Sequence, residues 1–572
     1  CIFMGLSAIY IQKKLSLILK NKLSAPLTII LLLFVPFLMA FQNWDDHDRS
    51  NRYTAQSLSK AYLDSIDEGS DSMIFCIGDN DTFALWYAQE IENYRTDVRT
   101  INTSLIATDW YIDQMKKRAY SSSPIPSQLI HKQYAYGIRD YIKHEALIDS
   151  VRWDIKDFMN WIGSDHPRTK YSNLLKQYGA NLDNVPKFTQ NMIFYPTNKI
   201  RIPVNKQNVI KSGLVNEKDS GLIVDYIDID LPTSGLYKNQ LLMLDILANN
   251  DWERPIYFTG GSYNDSEYLW MKDYLQLDGL VYKLVPIKTP INKKNPYELG
   301  RIDSNLMYKI VKGWEWGNSN SEKIYHDPET RKNSISFRGN LHRLALQLIK
   351  DDEKEKAEEI LDLSLEKMPI DYFGFYSLLG PYISTYYKLN KYTKGDKLFI
   401  NLSDKYQQNL NYYSKLSKSK NSNFSIYSYA ENIITDTERY RSLLESVLNT
   451  NDVNFIGKAI ENFVKSTDFV KEIYGDYEYF TLLIPFIEDL YKSENSNLSK
   501  DLYLNIANQL KDRLNLFIEM SKENKSEYVE NIANNLFEYS KILNVLKDYE
   551  ADKSLIKSEI ESFINIKEKL TN

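Results

Sequence analysis

Cysteine and histidine are scarce in this sequence of 572 residues. Only two cysteines occur, Cys1 and Cys76, far apart along the chain, and most of the six histidines stand alone rather than in pairs at metal-binding spacing. These shortages argue against a disulfide framework and against a zinc site built from cysteine or histidine. Cys76 lies within an apolar run, so we predict a small core residue rather than a nucleophile.

An excess of basic residues is also missing. The 70 lysines and arginines are outnumbered by 76 acidic residues, which gives a net charge of −6. Without a basic stripe, nucleic acid is not an expected partner. The chain has neither a glycine-rich phosphate loop nor a Gly-x-Ser-x-Gly elbow, and we therefore expect no cofactor and no metal.

One long apolar stretch is present, and it predicts a transmembrane helix over residues 25–44. At helical rise this stretch covers roughly the 30 Å of a hydrocarbon core, and Trp44 suits its interface. A shorter apolar run, residues 1–12, is too short to span and predicts the end of an earlier helix, so we expect a fragment of a longer chain. Lysines in the loop 13–24 place that loop in the cytoplasm and all later residues outside. The alternative is a buried hydrophobic hairpin of a soluble protein.

Residues 45–290 alternate strand-like and helix-like segments, which predicts an external α/β domain with a partly parallel sheet. Predicted strands are 74–77, 98–103 and 221–230, with a further short one in "RPIYFTGG". Predicted helices are 83–92, 109–120 and one that Thr233 or Ser234 caps and that ends near residue 249. The proline-bearing stretch 121–215 carries no predicted order.

Residues 291–333 read as a linker, and the chain beyond them is predicted to be all-helical. A 34-residue frame from Arg338 places apolar or small residues at tetratricopeptide positions, and a second, distorted frame starts at Tyr372. We therefore predict tetratricopeptide-like hairpins over 334–410 and further helices over 411–572. An ordinary helical bundle remains the alternative. The fold class predicted is thus a membrane anchor plus an α/β external domain, followed by an all-α, tetratricopeptide-like domain.

The string "GDNDTF" brings Asp79, Asn80 and Asp81 to the end of a predicted strand. In haloacid-dehalogenase phosphatases an Asp-x-Asp-x-Thr motif at this place supplies the nucleophile, but here Thr82 follows Asp81 directly. We favour a structural role, in which Asp79 or Asp81 caps the next helix. The other interpretation is a ligand site at the carboxyl edge of the sheet, with Asn102 and Asp109 as neighbours.

A second polar run, "WDDHDRSNR", follows the predicted membrane helix directly. Its carboxylates and histidine could hold an ion or move protons, and its arginines could contact a lipid phosphate or a substrate. The simpler interpretation is a solvated charge run. The candidate binding residues of this run are Asp45, Asp46, His47, Asp48, Arg49 and Arg52.

Four strings together resemble a family of large bacterial multi-spanning membrane proteins of unknown function, related to the GT-C protein O-mannosyltransferases. The strings are "NWDDHDRSNRYTA", "GDNDTFALWYAQE", "RTDVRTINTSLIATDWYIDQMKKRAY" and "NNDWERPIYFTGG". The resemblance covers most of residues 1–400. It implies a membrane half, upstream of this sequence, that carries the transfer site and takes a polyprenyl-phosphate sugar as donor. No catalytic residue can be carried over to this sequence.

These observations lead to two functional interpretations. The first is the non-catalytic C-terminal portion of a glycosyltransferase-like protein of the bacterial inner membrane, inactive alone, whose periplasmic domains bind an acceptor polypeptide or a partner. The second is an envelope scaffold that binds a protein partner through its helical repeats. In both, the lipid bilayer is itself a partner of the chain.

Overall fold

A computed structural model describes most of the chain. The described residues are 2–19, 21–148, 150–261, 264–292, 295, 298–418, 425–448, 452–492, 496–522, 528–549 and 553–571. They fall into two compact units. One comprises residues 1–347 and 362–374, and the other comprises residues 348–361 and 375–572.

The first unit contains all the described strands. They are β1 (Met73–Cys76), β2 (Arg99–Asn102), β3 (Tyr141–His144), β4 (Trp153–Asp154), β5 (Phe194–Tyr195), β6 (Lys199–Pro203), β7 (Tyr226–Asp230), β8 (Leu236–Tyr237), β9 (Ile256–Phe258), β10 (Leu275–Asp278) and β11 (Val281–Leu284). The helices up to residue 313 are α1 (Ile2–Ile18), α2 (Asn21–Gln42), α3 (Trp44–His47), α4 (Thr54–Asp64), α5 (Asp79–Trp86), α6 (Asp109–Met115), α7 (His131–Tyr134), α8 (Ile155–Gly163), α9 (Tyr171–Gln177), α10 (Lys187–Asn191), α11 (Lys206–Lys211), α12 (Lys238–Asn250) and α13 (Ser304–Gly313).

The later helices are α14 (Pro328–Lys350), α15 (Lys354–Lys367), α16 (Ile370–Phe373), α17 (Gly380–Lys388), α18 (Tyr392–Ser417), α19 (Ala430–Glu445), α20 (Val453–Thr467), α21 (Lys471–Tyr474), α22 (Asp476–Thr481), α23 (Ile487–Lys492), α24 (Ser496–Met520), α25 (Val529–Tyr549) and α26 (Lys553–Thr571). In the second unit α17 packs on α18, α18 on α19 and α24 on α25. The predicted all-helical C-terminal region is confirmed among the described residues, while its tetratricopeptide character stays a prediction.

The central sheet has the strand order β10-β11-β9-β1-β2. Strands β9, β1 and β2 are parallel, with Met73 opposite both Arg99 and Ile256, and β10 and β11 complete the sheet as an antiparallel hairpin. Every residue of β1 and β9 is buried, as a parallel sheet covered on both faces requires. This sheet confirms the predicted mixed α/β region. Two three-stranded sheets, β5-β3-β8 and β4-β6-β7, stand beside it.

The hairpin between β10 and β11 depends on glycine. Gly279 has a φ of +59°, in the left-handed region that L residues with a side chain rarely adopt. A Cβ there would lie 2.3 Å from the Ser65 hydroxyl and 2.7 Å from the Trp314 ring. The turn can therefore approach α4 and the segment after α13 so closely only because residue 279 has no side chain.

Several predicted boundaries are corrected by the structure. The loop predicted over 13–24 is nearly absent, because α1 continues to Ile18 and α2 already starts at Asn21. Lysine is a good helix former, so the charges that indicated a loop do not interrupt the helix. The stretch 121–215, for which no order was predicted, contains α7 to α11 and β3 to β6. The predicted linker 291–333 contains α13 and the start of α14.

The structure agrees only in part with the two predicted helical repeat frames. In the first frame Leu341, Leu344 and Leu348 are buried on α14. In the second frame more than a third of the surface of Phe375 and of Leu378 is exposed, whereas Leu379 and Tyr382 are buried. Phe375 has a left-handed backbone, so the chain becomes α-helical again only at α17.

Helix α2 carries the apolar stretch predicted to cross a membrane. Its segment Leu23–Gln42 has a mean hydropathy of 2.4, and its length and composition suffice for a span. Many of its large side chains, among them Ile30 and Phe37, are exposed in the isolated chain. By length and composition, α2 is suited to serve as a membrane anchor or as a signal sequence.

Candidate functional site

The opening of α5 places three of the predicted site residues at the carboxyl end of β1. Gly78 precedes the helix in an extended conformation, and α5 starts directly at Asp79. Asp79, Asn80 and Asp81 therefore lie in the first helical turn, where a negative charge interacts favourably with the helix dipole. The predicted cap is wrong: the N-cap residue is Gly78, and no side chain caps the helix.

Asp81 and Asp79 have different surroundings. The Tyr62 hydroxyl donates to Asp81 over 3.4 Å, and Thr259, which follows β9, donates to the same carboxylate. Burial raises the pKa of Asp81, and the hydrogen bonds from Thr259 and Tyr62 offset part of that increase. Asp79 and Asn80, in contrast, are exposed.

Asn102, at the end of β2, is a buried structural residue. Its Nδ2 donates to the Thr82 hydroxyl over 2.9 Å. Its Oδ1 accepts from the backbone N–H groups of Ser104 and Leu105 at 2.9 and 2.8 Å. The side chain thus joins α5 to the turn after β2, and its amide groups are already used in that connection.

A cleft of about 750 Å³ opens at the carboxyl edge of the parallel strands. Ile77, just after β1, and Thr103, just after β2, form part of its lining. This is where ligands bind in open α/β sheets, and the volume is ordinary for a small-molecule site. We call it the carboxyl-edge cleft.

Three aromatic rings line the carboxyl-edge cleft and remain exposed. Trp110 on α6 is 52 % exposed, Tyr136 after α7 is 92 % exposed, and Tyr237 before α12 is 63 % exposed. Exposed aromatic rings grouped in a concavity favour ligands with a flat apolar face, because each ring offers a large contact area at little cost in side-chain entropy.

Two carboxylates of the cleft already have partners. Asp109 accepts from the backbone N–H groups of Trp110 at 2.7 Å and of Tyr136 at 3.2 Å. Asp140 forms an ion pair with the buried Lys238, which also donates to the carbonyl of Tyr134 over 2.9 Å. These contacts join the start of α6, the segment after α7 and the start of α12.

Other polar side chains of the cleft have no partner among the described residues. Glu267 is partly buried, and its Oε2 is shielded from solvent without a hydrogen bond. The side chains of Ser104, Asn239 and Ser266 likewise line the cleft and hydrogen-bond to none of the described residues. A buried acceptor without a donor is unfavourable, so this part of the lining is suited to receive a ligand.

Arg99 is a buried residue that contacts the end of α6, the helix that contributes Asp109 and Trp110 to the cleft. It is 3 % exposed, and its Nη2 donates to the carbonyls of Gln114, Met115 and Lys117 at 3.0, 2.9 and 2.8 Å. These carbonyls lie at the C-terminal end of α6, where backbone acceptors lack helical partners. Arg99 thus fixes the helix that carries Asp109 and Trp110.

The polar run after α2 forms a separate surface. Arg52 pairs with Asp327, and the guanidinium of Arg49 lies 4.9 Å from the centre of the Tyr325 ring. Asp48 accepts from the backbone N–H of Ser50 at 2.9 Å, and the Ser50 hydroxyl, together with this backbone contact, lowers the pKa of Asp48. With Glu322 and Lys323 these residues border a second cavity of about 280 Å³.

The remaining candidate residues of that run are His47, Asp45 and Asp46. Nδ1 of His47 lies 3.0 Å from the Asn43 carbonyl. Asp45 and Asp46 lie on α3, and their side chains fall outside the described residues. Within the described part of the chain no group of three or more His, Cys, Asp or Glu side chains could hold a metal ion.

Of the predicted site residues whose side chains are described, Asp109 alone lines the carboxyl-edge cleft. Asp81 and Asn102 lie at the same sheet edge but are engaged in structural contacts, and Asp48, Arg49 and Arg52 line the second cavity. Cys76 is fully buried, and burial raises the pKa of its thiol, which suits the predicted core role. Sequence reasoning missed the three aromatic rings and Glu267, since they come from distant segments without a shared motif.

The chain was compared with known families, curated proteins and solved structures. Residues 55–306 match the family TMEM260-associated domain 2. No curated protein matches the chain. No solved structure matches it either. The matched range includes the central sheet and the whole lining of the carboxyl-edge cleft.

Proposed function

We propose that this chain is the external, acceptor-binding portion of a membrane glycosyltransferase-related protein. The observation that carries the proposal is the carboxyl-edge cleft, which lies entirely within the region matching TMEM260-associated domain 2. That match suggests a relation to TMEM260-like, glycosyltransferase-related proteins. The ligand proposed for the cleft is an acceptor polypeptide or a partner protein.

The connection between the apolar helix and the α/β region supports a position close to a membrane. Arg52 pairs with Asp327, and the amide of Asn318 donates to the carbonyl of Asn51 over 2.5 Å. The backbone N–H of Tyr53 donates in turn to Asn318 over 3.2 Å. Because these contacts hold the segment after α2 against the part of the first unit that follows α13, an anchored α2 would keep that part of the unit close to the bilayer.

The role that we propose for the cleft is binding of the acceptor, not transfer of the sugar. We propose that sugar transfer itself, with a polyprenyl-phosphate sugar as donor, takes place at a site in the membrane and not in this cleft. We propose that the external domains lie on the periplasmic side of a bacterial inner membrane. A reporter fused after residue 572 should then be active outside the cytoplasm, and activity inside it would contradict this orientation.

The test places a photo-crosslinking amino acid at Tyr136, at the exposed mouth of the cleft, in the full-length protein within its own membrane. The matched control places it at Tyr178, which is 70 % exposed and does not line the cleft. We expect position 136, but not 178, to trap a polypeptide whose glycosylation is lost when the gene is deleted. Equal trapping at both positions, or glycosylation unchanged by deletion, would refute the proposal.

The second candidate function is a scaffold that binds a partner protein through the helical unit. It is favoured by the large all-helical array of α17 to α26, in which Tyr412 and Tyr427 are 61 % and 70 % exposed. Replacing both tyrosines by alanine should then abolish function while glycosylation stays normal. Altered glycosylation in that variant would favour the first proposal.

A further inference from the structure

The polar groups that remain open in the carboxyl-edge cleft define the chemistry of its ligand. Asp109 and Asp140 are occupied by backbone N–H groups and by Lys238. The open groups include one carboxylate, that of Glu267, and three uncharged side chains, those of Ser104, Asn239 and Ser266. A ligand that satisfies them needs several uncharged donors and acceptors spread over its edge.

The charges of the cleft argue against an anionic ligand. Three carboxylates and one ammonium line it, and the ammonium of Lys238 is buried against Asp140 and two backbone carbonyls. A phosphate or nucleotide would meet net negative charge and find no free cation among the described lining residues. The phosphate of a lipid-linked donor is therefore unsuited to this cleft.

The aromatic rings supply the other half of the recognition. Trp110, Tyr136 and Tyr237 present flat apolar faces that carry polar atoms only at their edges. A pyranose ring is complementary to this lining, because it has apolar C–H faces and hydroxyl groups around its rim. A basic peptide could also contact the rings and pair its backbone amides with the three uncharged groups, but its cations would find a single free carboxylate, that of Glu267, and it is therefore the competing ligand in the experiment.

We propose that the carboxyl-edge cleft binds a neutral saccharide, with pyranose faces on the aromatic rings and hydroxyl groups on Glu267, Asn239 and the two serines. This inference deepens the proposed function, because it makes the recognised part of the acceptor a glycan rather than bare polypeptide. A glycan-bearing acceptor held there would have been modified already by an earlier glycosyl transfer.

The experiment measures saccharide binding to the full chain by saturation-transfer NMR and calorimetry. The chain is purified in a detergent without a sugar headgroup, since a maltoside headgroup would compete for the cleft. The probes are short neutral oligomers of mannose, glucose and galactose, together with inorganic phosphate and a lysine-rich peptide. Trp110→Ala and Tyr237→Ala are compared with Tyr178→Ala, and Glu267→Gln with Glu253→Gln, which changes an exposed carboxylate elsewhere.

We expect at least one neutral oligomer to bind and its affinity to fall about tenfold or more in Trp110→Ala and in Tyr237→Ala, but not in Tyr178→Ala. Glu267→Gln should weaken binding by only a few fold, because the amide oxygen still accepts a hydroxyl group. Circular dichroism checks the fold of each variant, and Tyr136→Ala, at a highly exposed position, serves if Trp110→Ala does not fold.

Three outcomes would overturn the inference. They are the absence of binding by every neutral oligomer, binding that the cleft variants leave unchanged, and a peptide that binds more tightly and is lost in Glu267→Gln. Polypeptide trapping at position 136 without saccharide binding would refute this inference and leave the proposed function standing. Saccharide binding without trapped polypeptide would support this inference and refute the proposed function.

Discussion

Replacing Arg99 by methionine should loosen the helix that carries part of the carboxyl-edge cleft. Arg99 donates to three backbone carbonyls at the end of α6. A hydrogen bond from a charged donor stabilises by about 1.5–3 kcal/mol. The desolvation of the buried guanidinium offsets part of the total, so we expect Arg99→Met to lower the local free energy of opening by about 2–4 kcal/mol.

Hydrogen exchange of the full chain, read by mass spectrometry over residues 109–122, measures this free energy. A loss of about 2–4 kcal/mol corresponds to exchange roughly 30- to 1,000-fold faster, since 1.4 kcal/mol is a factor of ten. Arg99→Lys keeps the charge but has a single donor nitrogen, and it should fall between the wild type and methionine. The control is Arg118→Met, an exposed arginine close by, which should change exchange little.

Unchanged exchange in Arg99→Met would refute the reasoning, because it would show that the three carbonyls find other partners. An equally large increase in the exchange rate of Arg118→Met would also refute it. In that case the effect would belong to charge on this segment and not to the hydrogen bonds of Arg99.

Three further predictions concern stability, each measured by thermal or denaturant unfolding of the full chain in detergent. Burial raises the pKa of Asp81 in the folded state, so the folded state holds that proton more tightly and stability should fall as pH rises through this pKa. Asp81→Asn should remove this pH dependence while Asp79→Asn, at an exposed position, leaves it intact; an unchanged profile in Asp81→Asn would refute the assignment. Gly235→Ala should destabilise by more than about 2 kcal/mol, because its Cβ would lie 2.7 Å from a backbone oxygen at a φ of +121°. Gly69→Ala, with a φ of +68° and open space, should lose only about 1 kcal/mol, and equal losses at both sites would contradict the steric argument. Lys283→Met would leave the carboxylates of Asp67 and of the fully buried Asp278 without their cation, and the free energy of unfolding should fall by about 3–5 kcal/mol. Unchanged stability would show that the carboxylates are protonated in the fold.

Local sequence patterns determined the elements that are buried on all sides. The run 73–76 is apolar throughout, and a parallel strand covered on both faces needs that composition, so β1 was predicted within one residue of its bounds. The apolar run that became α2 follows from length and hydropathy alone. The rhythm of strand and helix also predicted a partly parallel sheet, which β9, β1 and β2 form.

Helix boundaries depended on contacts that the local sequence does not show. Asp79 and Asp81 suit an N-cap by composition, yet α5 starts one residue earlier than such a cap allows. The carboxylate of Asp81 is instead held by Tyr62 on α4 and by Thr259 after β9. No window around residue 81 contains either partner, and tertiary contacts therefore decided the role of this residue.

The carboxyl-edge cleft is likewise a product of the tertiary structure. The sequence placed Asp109 near the carboxyl edge, because it follows a parallel strand and such strands end at a common edge. Tyr136, Tyr237 and Glu267 come from segments distant in sequence, and only the packing of α7, α12 and the segment after β9 brings them beside Trp110. The spacing of apolar residues along the sequence indicates which face of a helix or strand is buried. It does not record which loops meet, because that depends on the order of the strands and on buried groups such as Arg99.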